Sequence, residues 1–161
     1  MGNHLTTRQD NISLVVTKSD LMYVRNVYPE FRFCPEGERS NRLFLEIQYA
    51  AVMDGQDMTD KTLAIMAKEV GNAMMQGAAC GLTYPEIRTA IRNGAAGQYG
   101  EWFRLNVRTI LSWMDAFIED NKATYREIQR KLEQDRQASM GEFYLEKVRH
   151  HAELMAKRNK I

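Results

Sequence analysis

The 161-residue sequence predicts an all-α protein: a compact helical domain with a long C-terminal helix and helical tail, behind a short irregular or β-prone N-terminal segment. Two observations carry the prediction. Apolar residues recur at spacings of three and four through most of residues 40–132, as helices with one buried stripe require. Capping residues stand where those stripes begin, and glycine-rich breaks stand where they end.

Taken in order, residues 1–10 are polar and "NISLVV" (11–16) is a short β-prone run. Ser19 can start a helix that Pro29 stops, and "CPEGERSN" (34–41) is turn chemistry throughout. These 39 residues are assigned to an N-terminal irregular segment. The helical domain follows at 40–120. Its first helix carries Leu43, Ile47, Ala50 and Ala51 on one stripe, and "DGQD" breaks it. Thr59 or Asp60 caps the second, where Leu63, Met66, Ala67, Val70, Ala73 and Met74 repeat with helical spacing. "TYPE" opens the third: Thr83 and Glu86 have capping-box spacing and Pro85 sits in the first turn. Ile87, Ala90 and Ile91 form its buried face, and Gly94 is placed to end it in the left-handed conformation. Asn106 is a fitting N-cap for a fourth helix. From there Leu111, Met114, Ile118, Asn121, Tyr125, Ile128 and Leu132 alternate strictly at three and four, a heptad seam with one polar interruption. "QASMG" (137–141) can bend or break this helix, and a shorter stripe including Leu145, Val148 and Ala152 runs toward Met155. Residues 121–161 are read as a helical tail.

A formal charge of +1 excludes a polyanion binder by bulk charge, so any nucleic-acid surface must come from local segregation. No apolar run reaches the roughly 18 residues of a bilayer span, and "MGNHLTTRQD" lacks the core of a signal peptide. A cytoplasmic protein without membrane contact is expected. Cys34 and Cys80 stand alone, short of the four ligands of a structural zinc site, and read as free thiols. His150 and His151 are adjacent, so on a helix they point about 100° apart and do not share a metal. Neither a Gly-x-Ser-x-Gly elbow nor an HExxH pair is present. No catalytic residue, metal or cofactor is assigned, and the protein is expected not to be an enzyme.

"NGAAGQYGEWFRLN" (93–106) has three evenly spaced glycines beside Tyr99 and Trp102. A P-loop would need a preceding strand and a Gly-Lys-Ser/Thr ending, whereas Gly100 is followed by Glu101, which repels phosphate. The segment is better explained as a helix stop and a tight corner. Around it, Arg88, Arg92, Arg104 and Arg108 form the densest basic group, interleaved with Tyr99 and Trp102. That pattern suits phosphate contact with stacking. Asn106, Arg108, Thr109 and Ser112 could face a major groove as the start of a recognition helix, although roughly a dozen residues replace the usual three- or four-residue turn. The alternative is a solvated helix face with the aromatics plugging the bundle. The heptad seam likewise has two explanations: an antiparallel hairpin with the last helix, or a docking surface for a partner or a second copy.

"TDKTLAIMAKEV", "LTYPEI", "GQYG", "FRLN" and "SWMDAF" together resemble a group of small helical proteins carried by phages and mobile elements of Bacteroides-type bacteria, over about residues 58–123. In layout the chain is also similar to phage replicative-helicase loader or inhibitor proteins, which have a compact helical domain and a C-terminal part that contacts the helicase. The resemblance implies an accessory protein of DNA replication, a DNA or partner adaptor such as a helicase loader, with a replicative helicase as protein partner. A helix-turn-helix regulator of duplex DNA is the first alternative. A structural or host-interaction protein without nucleic-acid binding is the second, and a homodimer through the C-terminal helices is compatible with each.

Overall fold

The computed structural model describes residues 14–158. The polar N-terminus and the first half of the β-prone run lie outside the described residues, as do the side chains of Ala152 and Met155. Thr17, not Ser19, starts the first helix, α1 (Lys18–Val27). Its hydroxyl accepts from the Asp20 N–H at 3.1 Å, and the Asp20 carboxylate accepts from the Thr17 N–H at 2.8 Å. The bond from the Thr17 backbone, chief among these, holds the Asp20 carboxyl below its ordinary range. The helix ends at Val27, because Tyr28 must be extended ahead of Pro29.

Phe31–Phe33 form one 3-10 turn, and α2 (Glu36–Met53) begins directly after Pro35. Glu36 and Glu38 in its first turn favour this early start through the helix dipole. The packed domain therefore begins well before residue 40: Leu21, Val24, Phe31 and Cys34 are all buried. Residues 14–16 form no strand. Instead the Val15 N–H donates to the Thr89 hydroxyl at 2.8 Å, and a single bridge joins Glu30 to Thr83.

Thr59 caps α3 (Asp60–Gln76), accepting from the Thr62 N–H, and Leu63, Ala67, Val70 and Met74 of its stripe are buried. A second 3-10 turn, Ala78–Gly81, leads to α4 (Tyr84–Ala95). There Thr83 and Glu86 form the expected capping box, with the Glu86 carboxylate accepting from the Thr83 N–H at 2.6 Å. Helix α5 (Val107–Asp120) buries Ile110, Trp113, Met114 and Phe117. Helix α2 packs on α3 and α4, and α4 packs on α5.

Gly94 does not end α4. It lies inside the helix, where an added Cβ would sit 2.0 Å from Cδ2 of Trp113, so the absent side chain lets α5 approach. The left-handed stop falls three residues later at Gly97 (φ 79°), with Gln98 N–H bonded to Asn93 C=O and Gly97 N–H to Gly94 C=O.

The first unit ends at Asp120, and a second begins at Asn121. The second contains α6 (Lys122–Arg158), which runs unbroken through "QASMG". Residues 125–132 and 145–155 thus belong to one helix, and the expected intramolecular hairpin between them does not form. Among the described residues there are six α-helices and no strand, and no helix is long and apolar enough to cross a membrane.

Candidate functional site

The basic group expected around the glycine segment is divided by the fold. On α4, Tyr84, Arg88 and Arg92 recur every four residues and meet Glu46 of α2. Glu46 is only 3% exposed. Its carboxylate accepts from the Tyr84 hydroxyl at 2.8 Å and from Arg92 Nε at 3.1 Å, while Arg88 Nε lies 3.6 Å away. Arg92 also stacks over the Tyr49 ring at 4.3 Å, and Arg42 over Tyr84 at 4.6 Å. Burial, reinforced by the bond to Glu46, pushes the Tyr84 hydroxyl well above its ordinary pKa. A buried carboxylate left unpaired is strongly destabilising. Arg88 and Arg92 are therefore engaged as counter-ions of their own chain. A second buried carboxylate, Glu86, receives Arg25 Nε at 3.0 Å and ties α1 to α4. Neither ion pair is recognisable in the sequence, where Glu46 looks like a solvated helix charge and Glu86 shows only its capping-box spacing to Thr83.

The start of α5 is also internally satisfied. Asn106 Oδ1 accepts from the Thr109 N–H at 3.0 Å, as an N-cap should, and its Nδ2 donates to the Arg104 carbonyl at 3.2 Å. The Thr109 hydroxyl donates to that same carbonyl at 2.9 Å, and the Ser112 hydroxyl to the Thr109 carbonyl at 2.7 Å. Three of the four polar side chains expected to face a groove are thus bonded to local backbone. Arg104 and Arg108 remain exposed. Residues 96–106 separate α4 from α5, far more than a helix-turn-helix corner contains.

Within that corner, Trp102 packs edge-on against Trp113 with centroids 5.0 Å apart, and Tyr99 receives a bond from Asn93 Nδ2 at 3.4 Å. Both rings are half-buried. Burial raises the Tyr99 hydroxyl pKa. The residue that reaches solvent is Phe103, 100% exposed. Its adjacency to Trp102 was the available signal: when one of two neighbouring aromatics turns inward, the next is directed elsewhere.

The heptad seam is divided as well. Met114 is fully buried in the first unit, with Leu111 and Ile118 half-buried beside it, so this part belongs to the domain's own packing. In the second unit Tyr125 and Ile128 are half-buried and Leu132 is exposed. Farther along α6, Met140, Phe143, Tyr144, Leu145 and Val148 are all exposed. At about 100° per residue, Leu145 and Val148 lie roughly 160° around the helix from the stripe formed by Tyr125, Ile128 and Leu132. Helix α6 therefore carries two apolar stripes on different sides, separated along its length by the polar run 133–137.

Among the described residues, no three His, Cys, Asp or Glu side chains are grouped to hold a metal ion. Cys34 and Cys80 are free thiols, and burial raises the pKa of Cys34. Comparison with protein-family models, curated proteins and solved structures finds no match to this chain.

Proposed function

We propose that the protein is a non-enzymatic adaptor in which a self-sufficient helical domain precedes a docking helix, α6, that binds a protein partner. One observation carries this reading: the exposed large apolar side chains of α6, Leu132, Met140, Phe143, Leu145 and Val148, on an otherwise charged helix. Leu132, Met140 and Phe143 stand at i, i+8 and i+11, within about 80° of one another around the helix. Burying each is worth about 1.5–3 kcal/mol, enough together for a specific helix-in-groove contact; Leu145 and Val148 lie on the other side. The resemblance to phage helicase loaders makes a replicative helicase the partner and DNA replication the setting. Size-exclusion chromatography with a replicative helicase tests it. The full chain should co-elute with the helicase, and truncation after Asn121 should abolish co-elution. Persistence after truncation overturns the role of α6.

A second reading, contact with nucleic-acid phosphates, is favoured by the exposure of Arg104 and Arg108. Arg108→Ala would then weaken oligonucleotide binding at low salt and reduce its salt dependence. The local bonding of Asn106, Thr109 and Ser112 argues against base reading by α5, which places the duplex regulator behind the adaptor.

A further inference from the structure

The glycine corner and the end of α2 border a shallow, open depression of about 490 Å³ in the first unit. Ala95 to Gly97 and Gly100 are among the residues lining it, and their small side chains leave the backbone approachable. Met53, Trp102 and Phe103 supply apolar walls, with Met53 55% and Phe103 100% exposed. The charged side chains lining it are Asp54 and Glu101, both acidic. Gln56 Nε2 donates to Asp54, but neither carboxylate has a salt-bridge partner among the described residues.

This combination selects the chemistry of an occupant. A nucleic-acid backbone would bring phosphate against two carboxylates and be repelled. A wholly apolar segment would cover Phe103 but desolvate those carboxylates without pairing them, which is costly. An arginine or lysine beside a large apolar side chain meets both demands. Its aliphatic stem lies along Met53, its cationic head stacks on an exposed aromatic face, and the carboxylates at the rim pair with it.

We propose that this depression docks a basic–apolar segment of a partner protein, an Arg or Lys flanked by large apolar residues. The site is separate from α6, and the inference does not depend on α6 docking a helicase. Amide NMR spectra of the full chain, titrated with the synthetic peptide acetyl-Leu-Arg-Leu-Arg-Leu-amide, test it. Saturable shifts are expected in residues 53–54 and 95–103. Phe103→Ala and Glu101→Lys should each weaken binding about fivefold or more. Phe103 is fully exposed, so its variant should keep the parent's thermal transition, and the peptide with Glu in place of Arg should leave these amides unmoved. The proposal is overturned if the arginine peptide moves none of them at millimolar concentration, or if both variants bind it as the parent does. It is equally overturned if the glutamate peptide or a single-stranded oligonucleotide shifts the same amides as strongly.

Discussion

Trp113 fits against α4 only because residue 94 has no side chain. Gly94→Ala would force its Cβ to 2.0 Å from the indole, and neither helix backbone can yield without opening the core. Such overpacking should cost about 2–3 kcal/mol in urea unfolding. Gly97→Ala meets nothing within 4 Å and is burdened only by its left-handed backbone, so about 1 kcal/mol is expected. The reverse order of costs would contradict the assignment of the two glycines. Tyr84 gives a second prediction at this scale. Its hydroxyl donates to buried Glu46, and its folded pKa is raised. Below the unfolded value of 10.0 the phenol is protonated in both states, and its contribution is complete. As pH rises above that value the unfolded state ionises first, so stability falls until the folded pKa is passed. Tyr84→Phe should lower stability by about 1 kcal/mol at pH 7 and flatten this alkaline decline, as read by urea unfolding between neutral pH and pH 11. The caps were legible residue by residue, because Asn106 and the Thr83–Glu86 pair act through local spacing. The Glu46 and Glu86 ion pairs were not, because Arg25, Arg88 and Arg92 reach them only after the helices pack.

At the scale of elements, the buried stripes of α2 to α5 follow the periodicity of the sequence, since each is a helix with one face against its neighbours. Two boundaries did not follow it. Turn-rich "CPEGERSN" is mostly helix, because Pro35 and the acidic first turn start α2 early, and Gly37 lies within that turn. "QASMG" does not break α6, since one glycine costs a helix only about 1 kcal/mol and the good helix formers on either side outweigh it. An added Cβ at Gly141 meets nothing within 4 Å. Gly141→Ala should therefore slow amide exchange across residues 138–145 about fivefold, equivalent to about 1 kcal/mol. Unchanged exchange would mean that this stretch is not helical in solution.

For the whole molecule, every buried hydrophobic side chain among the described residues lies at or before Phe117. The first unit thus holds its own core, and a chain ending at Asp120 should keep the thermal transition of the full protein within a few degrees. A loss of cooperative unfolding would show instead that α6 is needed for the fold. The all-α architecture was legible from periodicity, whereas the candidate surfaces were not, because exposure depends on which of two adjacent residues, such as Trp102 and Phe103, turns inward. On the proposed function, α6 is the docking element and the domain before it is its support. Hydrogen exchange of the full chain with and without a replicative helicase measures this most directly. Protection gained in residues 121–158, with α1 to α5 unchanged, is the predicted result; protection confined to α1–α5, or none at saturating helicase, would contradict it.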